Sequence, residues 1–371
     1  MKVGTITYHR AVNYGAVLQT LALQKVLDKL EVENEVIDYR ADYIEWIYKP
    51  FCMRDRKNIG DFFKILKGAS IKNKKRNQFL NFIKKNIRLS KKAYTNKTLD
   101  EANEIYDLFI TGSDQVFNLD CSNYDTNYLL EFVKDNDKKA SYAASFGFDE
   151  MPEKDVQEYQ RLLSGFKNIS VREACGVEIV KKAIGRKATE VLDPTLLISK
   201  DEWKEIVGNQ KNSETGYILI YALMPSKTLI EFANKLQELT GLNIVFIKDS
   251  LTKEGINILN DNVKYLKDVE PLEFVKLISG AEYVITNSFH GTAFSINFNK
   301  KFFTELLAPE TKVNSRLENI LDMLDLRNRQ LIDLDSLTLD EIDYERVNSL
   351  LQERIDLSID YLKNILAIGL K

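Results

Sequence analysis

A chain of 371 residues, 44% of them hydrophobic, can bury a large core, and at this length one core normally divides into two domains. The formal net charge of −3 argues against a general nucleic-acid-binding protein. Three widely spaced cysteines without a C-x-x-C pair indicate neither a disulfide framework nor a zinc site, and no signal-peptide pattern or membrane-spanning apolar run is present, so we expect a cytoplasmic protein.

The first predicted elements form a βαβ unit. Residues 2–8 alternate as a strand does, residues 16–30 have the i, i+3, i+4 apolar spacing of a helix, and residues 36–39 form a second strand. The polar loop from His9 to Gly15 lies between the first strand and the helix. Ligands commonly bind where a parallel strand leads into a helix, so His9 is a candidate site residue.

Residues 43–97 interrupt this alternation with aromatic residues and a basic stretch that is predicted to be helical. From Arg54 to Lys97 there are 15 Lys or Arg residues and two acidic ones, so this segment carries +13 and the rest of the chain −16. Two interpretations remain open. The segment is either a solvated helical insertion or a basic face toward an anionic membrane or a pyrophosphate-linked substrate.

A third strand leads into a polar turn. Residues 106–111 form the predicted strand, and Gly112, Ser113, Asp114 and Gln115 follow it. A simple turn needs only one or two such residues, which favours a site at this strand end. Asp114 is either a general base or a turn-capping carboxylate.

Two more strands are predicted in the N-terminal half, at residues 140–146 and 169–173, before residues 191–198 close it. Arg172 lies at the end of the second strand. An arginine there is usually half of a surface ion pair, but its planar guanidinium also suits a carboxylate or phosphate ligand.

A second α/β alternation follows a helix and linker at residues 201–215. Its predicted elements are a strand at residues 217–221, a helix at 226–239, a strand at 243–248, a helix at 272–278, strands at 283–286 and 301–306, a helix at 312–321 that carries Arg316, and a helical tail at 340–370.

The most informative stretch lies within this second half, at residues 281–303. Its β-branched strand is followed by a polar break at residues 287–292, and a helix is predicted from residue 293 onward. His290, one of only two histidines, therefore lies where a strand leads into a helix.

Four further residues surround His290: Asn287, Ser288, Gly291 and Thr292. The N–H groups of a helix N-terminus favour an anion, and a glycine allows the backbone to approach a ligand closely. A helix cap or a buried core histidine is the simpler alternative, but so many polar residues between two apolar runs favour a functional site.

Two α/β halves with polar strand ends predict two Rossmann-like domains that face each other across a cleft. We place the first domain at residues 1–205, with the basic insertion at about 43–97, and the second at residues 206–371, with the loop around His290 and the C-terminal helices. Neither half contains G-x-G-x-x-G or a Walker motif, so no NAD or ATP site is indicated. No metal site is predicted either.

Six motifs, in this order, resemble the polysaccharide pyruvyl transferase family and span nearly the whole chain. They are NYGAVLQ at residues 13–19, TGSDQVFN at 111–118, ISVRE at 169–173, DPTLL at 193–197, NSFHG at 287–291 and NSR at 314–316. Each motif alone is weak, whereas the ordered set is specific for the family, although not for one acceptor.

The resemblance implies a transferase with two Rossmann-like domains similar to the GT-B glycosyltransferase architecture. Such an enzyme moves pyruvate from phosphoenolpyruvate onto two hydroxyls of a sugar as a cyclic ketal. It needs no cofactor besides this co-substrate. The implied acceptor is a lipid-linked or polymeric saccharide of a bacterial exopolysaccharide or capsule, which suggests a cytoplasmic enzyme with peripheral contact at the inner membrane face.

The motifs and this chemistry together assign three groups of site residues. His290 is the predicted acid that protonates the methylene carbon, and Asp114 is the predicted base. The predicted donor-binding residues are Arg172, Asn287, Ser288, Gly291, Thr292 and Arg316. The predicted acceptor-binding residues, in the first domain, are His9, Asn13, Tyr14, Gly15, Gly112, Ser113 and Gln115.

Ser288 departs from the family pattern, because relatives often carry an arginine two residues before the histidine. The missing cation is either absent or supplied by Arg316 or Arg10. Two alternatives to pyruvyl transfer follow: a GT-B-type glycosyltransferase whose His290 and Arg172 hold the diphosphate of a nucleotide sugar, and a non-catalytic relative.

Overall fold

The computed structural model describes residues 1–49, 59–208, 215–248, 262–307 and 314–368, with the backbone alone at 59–71 and at 368. By its contacts the chain divides into two compact units, unit 1 (Met1–Pro194 with Ser358–Lys371) and unit 2 (Thr195–Leu357). The boundary predicted from the polar linker lies after residue 205. None of the described helices is long and apolar enough to cross a membrane.

Unit 1 is built on a five-stranded parallel sheet with the spatial order β3-β2-β1-β4-β5. Its strands are β1 (Lys2–Ile6), β2 (Glu33–Tyr39), β3 (Leu89–Tyr94), β4 (Leu108–Thr111) and β5 (Lys139–Ser141). A separate parallel pair consists of β6 (Ser170–Val171) and β7 (Thr189–Glu190).

The helices of unit 1 are α1 (Tyr14–Lys29), α2 (Asp42–Ile47), α3 (Ile59–Asn86), α4 (Leu119–Ser122), α5 (Val156–Ser164) and α6 (Ala174–Ile184). Helix α1 begins at Tyr14 because the side chain of Asn13 accepts a hydrogen bond from the N–H of Ala16 at 3.1 Å. Buried Ile6, Ile37 and Phe109 belong to the core of this unit.

Unit 2 contains a six-stranded parallel sheet with the spatial order β10-β9-β8-β11-β12-β13. Its strands are β8 (Ile218–Tyr221), β9 (Ile244–Ile247), β10 (Val263–Leu266), β11 (Tyr283–Thr286), β12 (Lys301–Glu305) and β13 (Gln330–Leu331). Its helices are α7 (Lys200–Val207), α8 (Lys227–Thr240), α9 (Pro271–Gly280), α10 (Phe289–Asn297), α11 (Ser315–Met323) and α12 (Tyr344–Ile368), whose last residues, from Ser358, belong to unit 1.

The two parallel sheets confirm the predicted α/β alternation in both halves. The strand predicted at residues 140–146 is wrong beyond Ser141, because Ala143 adopts a left-handed φ of 50° and its N–H donates to the hydroxyl of Ser170 at 3.1 Å. The strand predicted at residues 169–173 is limited to β6. Strand β3, at the end of the basic segment, was not predicted.

In each sheet, consecutive strands are added toward one edge up to a certain strand and toward the opposite edge after it. This switch point lies between β1 and β4 in unit 1 and between β8 and β11 in unit 2. In open α/β sheets, ligands bind at the carboxyl ends of the strands at such points. His9 follows β1, Asp114 follows β4 and His290 follows β11, so all three predicted loops lie at switch points.

Candidate functional site

In unit 2, helix α10 begins at Phe289, and the prediction that it starts at residue 293 is wrong. Ser288 is its N-cap, since its hydroxyl accepts a long hydrogen bond from the N–H of Gly291 at 3.4 Å and its carbonyl accepts one from the N–H of Thr292 at 3.0 Å. His290 is therefore the second residue of the helix, buried at 8% exposure, in the first turn, where helix N–H groups favour an anion.

Gly291 is required by the strand before the helix. A Cβ at this position would lie 2.3 Å from the hydroxyl of Thr286. That hydroxyl is fixed in place, because it donates to the carbonyl of Tyr221 at 2.6 Å and accepts from the N–H of Ser288 at 3.1 Å. Packing inside unit 2 thus requires a glycine here, and a role of Gly291 in donor binding stays a prediction.

Asn287 holds the two loops of the unit 2 switch point together. Its side-chain oxygen accepts from the N–H of Leu223 at 2.7 Å, and its amide nitrogen donates to the carbonyl of Met224 at 2.8 Å. The same nitrogen donates to the carboxylate of Glu305 at 3.2 Å. Asn287 thus fixes the position of the N-terminus of α10 relative to the loop after β8.

Glu305, at the carboxyl end of β12, is a site residue that the sequence analysis missed. Its carboxylate is buried at 6% exposure and accepts hydrogen bonds from Asn287 and from the hydroxyl of Ser226, the N-cap of α8. Burial raises the pKa of Glu305, although these hydrogen bonds oppose the shift. The sequence feature that could have identified Glu305 is its position at the end of the predicted strand that follows the candidate loop.

Two other predicted donor-binding residues lie next to α10. Thr292 contacts the hydroxyl of Thr304 on β12 at 2.8 Å, so its side chain is used to pack the helix on the sheet. Arg316 lies in the first turn of α11, a helix that packs against α10, and is half-buried.

Arg10, the other candidate for the missing cation, is committed to an ion-pair cluster in unit 1. Its guanidinium contacts the carboxylates of Glu45 and Asp38, the latter at 3.3 Å. His9 belongs to the same cluster, because its Nε2 lies 3.5 Å from Asp38 and its Nδ1 lies 3.2 Å from the carbonyl of Thr7. With 0% exposure, His9 has no open surface in this structure.

The carboxylate of Asp38 is the centre of this cluster. Burial alone would raise its pKa, but hydrogen bonds from His9 and Arg40 and the charge of Arg10 lower the pKa of Asp38 well below its usual value. The cluster therefore holds the loop after β1 against β2 by buried electrostatic contacts.

Arg172 forms a second buried cluster in unit 1. Its Nε donates to Glu173 at 3.0 Å and its Nη1 donates to Asp193 at 2.9 Å, and all three residues are at most 3% exposed. Asp193 also accepts from the hydroxyl of Ser113 at 2.7 Å. Arg172 is thus in a buried ion pair rather than a surface one, and two carboxylates offset its single positive charge.

The loop after β4 is packed closely against β1. The hydroxyl of Thr7 donates to the carbonyl of Ser113 at 2.9 Å, and a Cβ at Gly112 would lie 3.2 Å from the Cβ of Thr7. Gln115 lies against Gly147, where a Cβ would come within 2.0 Å of its side-chain oxygen. This packing fixes the loop at the switch point of unit 1.

Asp114 has a left-handed backbone with φ of 81°, which is costly for a residue with a Cβ. One carboxylate oxygen accepts from the N–H of Gln115 at 2.9 Å, so the turn-capping contact is present. The carbonyl of Asp114 accepts from the N–H of Ser145 at 2.9 Å. The residue is half-buried, and strained backbones of this kind occur often at functional sites.

The remaining predicted acceptor-binding residues build the start of α1. Asn13 is its N-cap, Gly15 is buried in its first turn, and the ring of Tyr14 packs against Phe79 of α3 at 5.3 Å between centroids. The ammonium of Lys75 lies 5.5 Å from the centre of the Tyr14 ring. Acceptor binding by these residues stays a prediction.

A sequence model of the family described as polysaccharide pyruvyl transferase matches residues 13–304, which is most of the chain. No curated protein sequence matches. Among solved structures, the putative UDP-N-acetylglucosamine 2-epimerase from Listeria monocytogenes superposes with a TM-score of 0.50 at 13% identity, over 97% of this chain and 90% of that chain.

Two further solved structures cover nearly all of this chain. They are the UDP-GlcNAc 2-epimerase from Methanocaldococcus jannaschii (TM-score 0.46, 12% identity, 95% of this chain and 92% of that chain) and the glycosyltransferase SnogD from Streptomyces nogalater (0.47, 11%, 100% and 99%). At such identities a likeness concerns the fold alone. The chain has the predicted α/β fold with two Rossmann-like domains, similar to the fold of the Listeria structure.

Proposed function

Since the chain belongs to the polysaccharide pyruvyl transferase family and is therefore a transferase that acts on a saccharide acceptor, we propose that its donor is phosphoenolpyruvate. Pyruvate would be transferred onto two hydroxyls of the sugar as a cyclic ketal, without a further cofactor. The proposed acceptor is a lipid-linked or polymeric saccharide of a bacterial exopolysaccharide or capsule. The observation that carries this proposal is the position of His290 in the first turn of α10, at the switch point of unit 2.

The donor is proposed to bind in unit 2, at the N-terminus of α10. Phosphoenolpyruvate carries a carboxylate and a phosphate, and helix N–H groups together with a cation suit such an anion. Arg316 is the better candidate for the cation, because it lies in the first turn of α11, which packs against α10 in the same unit, whereas Arg10 belongs to unit 1.

Arg172 is proposed to act on the site indirectly. Its guanidinium faces Glu173 and Asp193, so the local charge of this cluster is negative and does not favour an anion. Through Asp193, which accepts from Ser113, the cluster positions the loop that carries Asp114.

His290 is the proposed acid. It would protonate the methylene carbon of phosphoenolpyruvate, which turns that carbon into a methyl group and makes C2 electrophilic. One sugar hydroxyl then adds to C2, a second displaces the phosphate, and inorganic phosphate leaves. Asp114 is the proposed acceptor of a hydroxyl proton, a role that contributes typically about 10²- to 10⁴-fold to a rate.

The test is a His290→Ala variant assayed for phosphate release with phosphoenolpyruvate and a panel of galactose- and mannose-type acceptors, free and lipid-linked. We expect turnover to fall by about 10²-fold or more while phosphoenolpyruvate binding, measured by calorimetry, is largely kept. Thermal unfolding of the variant checks that the fold is intact. Activity at the wild-type level would remove His290 as the acid.

A further inference from the structure

Helix α2, in unit 1, presents large apolar side chains to solvent at the point where the basic segment begins. Trp46 is 50% exposed and Ile47 is 40% exposed. The ring of Trp46 stacks on that of Tyr43, with centroids 6.0 Å apart and an angle of 26° between the planes. A tryptophan held this way offers a flat apolar surface with a polar N–H at its edge.

An ion pair joins this short helix to the basic helix α3. Arg76 of α3 donates to the carboxylate of Glu45 at 2.7 Å, and Glu45 is the residue before Trp46. Lys72 lies one helical turn before Arg76 on α3 and is exposed. Lys49, just after α2, is exposed as well. The ion pair makes α2 and this part of α3 neighbours, so Trp46, Ile47, Lys49 and Lys72 lie on adjacent segments, and we call these four residues the basic aromatic surface.

Positive charge extends from this surface along α3 and beyond it. Residues 72–97 contain ten Lys or Arg residues and no acidic residue. Among the described residues, the exposed side chains of Lys72, Lys84, Lys85 and Lys91 have no carboxylate within ion-pair distance. These charges are thus available to an external anion.

We propose that the basic aromatic surface docks on an anionic membrane leaflet, with the lysines at the lipid phosphates and Trp46 and Ile47 in the headgroup region. Cations near such a surface and amphipathic aromatic rings at the headgroup level both favour binding. Residues 54–97 carry +13 against −16 in the rest of the chain, so an anionic surface attracts this segment and repels the remainder of the chain. The proposal does not depend on the reaction.

Trp46 is itself the probe for the test. The chain has two tryptophans, and Trp203, in unit 2, is 0% exposed, so a change of emission on vesicle binding reports on Trp46. The full chain is titrated with vesicles of phosphatidylcholine, with and without phosphatidylglycerol, at low and at high salt. We expect a blue shift and co-sedimentation only with the anionic vesicles at low salt, and no blue shift in Trp46→Phe.

Paired variants locate the contact. Lys72→Glu should weaken vesicle binding by at least about fivefold, and Trp46→Ala should also weaken it. The matched controls are Lys182→Glu and Ile105→Ala, at other exposed positions of unit 1, and both should bind vesicles as the wild type does. No binding at low salt would overturn the proposal, as would binding without a shift of Trp46 or an equal loss in the control variants. Neither donor nor acceptor is present, so failure here leaves pyruvyl transfer untouched.

Discussion

The loops at the two switch points are held in place by different kinds of interaction. In unit 1, the loops after β1 and β4 are held by buried ion pairs, one cluster around Asp38 and another around Arg172. In unit 2, the loops after β8 and β11 are held by the amide of Asn287, by serine and threonine hydroxyls and by Glu305. The charged groups of these two clusters in unit 1 are thus already paired with one another, whereas in unit 2 the N-terminus of α10 offers backbone N–H groups.

This difference indicates where an anionic donor is best accommodated. Glu173 and Asp193 already pair with Arg172, so they compete with any added carboxylate or phosphate for its guanidinium. The first turn of α10 offers backbone N–H groups near His290. We therefore propose that the donor binds at the N-terminus of α10, whereas the ion pairs of unit 1 chiefly fix the loops that carry them.

The largest expected effect comes from removing the central cation of the second cluster. Arg172→Ala leaves Glu173 and Asp193 buried without their partner, so we expect a loss of about 3–5 kcal/mol in the free energy of unfolding, measured by urea denaturation. Arg161→Ala is the matched control, because this arginine is exposed and pairs with Glu158 and Glu131, and it should cost less than about 1 kcal/mol. Equal effects would contradict a structural role for Arg172.

A smaller loss of stability is expected from Gly291→Ala. The added methyl group meets the fixed hydroxyl of Thr286, and overpacking of this kind costs about 1–3 kcal/mol. The same substitution paired with Thr286→Ser, which removes a methyl group and keeps the hydroxyl, should recover little, because the clash is with the oxygen. Pairing it with Thr286→Ala should recover more, and a neutral Gly291→Ala would show that this region is loosely packed.

The smallest expected effects concern how stability depends on pH, which has opposite signs at Asp38 in unit 1 and at Glu305 in unit 2. The pKa of Asp38 is lowered on folding, so its contribution is present above the unfolded pKa, about 4, and is lost as the pH falls toward the folded value. The pKa of Glu305 is raised on folding, so its contribution is present below the unfolded pKa and is lost as the pH rises through the folded value.

Substitution of each carboxylate tests whether the two contributions to stability change in opposite directions with pH. Asp38→Asn should reduce the loss of stability of unit 1 in acid, and Glu305→Gln should reduce the decline in stability of unit 2 as the pH rises above the unfolded pKa of a glutamate, about 4. Trp46 lies in unit 1 and Trp203 in unit 2, so Trp46→Phe allows unfolding of unit 2 to be followed by fluorescence of Trp203 alone. The same direction of change in both units would contradict the assigned shifts.

The sequence predicted the strands beside the two switch points and the loops that follow them, because both depend on local patterns. Short β-branched runs such as residues 283–286 form buried strands, and the polar residues after them mark the loops. The family motifs added the order of the loops and the reaction class. The start of α10 was missed because a serine cap and a glycine with no room for a Cβ are consistent with either a loop or a helix.

Contacts between residues far apart in the chain could not be predicted. Arg172 and Asp193 are 21 residues apart and meet only in the folded unit. Asp193 had appeared as part of a motif and not as a partner of Arg172. Glu305 lies 18 residues after Asn287 on the neighbouring strand, and nothing local connects the two. Such pairs depend on the packing of whole elements.

The most direct test of the proposed donor site is a calorimetric titration with phosphoenolpyruvate and, separately, with nucleotide sugars. Ser288 caps α10 and Ser199 caps α7, so the variants Ser288→Asp and Ser199→Asp form a matched pair. Aspartate can still cap a helix, but it adds a negative charge. We predict that phosphoenolpyruvate binds the wild type and Ser199→Asp equally and Ser288→Asp about tenfold or more weakly. Binding of nucleotide sugars alone, or equal phosphoenolpyruvate affinity in all three proteins, would contradict a donor site at α10.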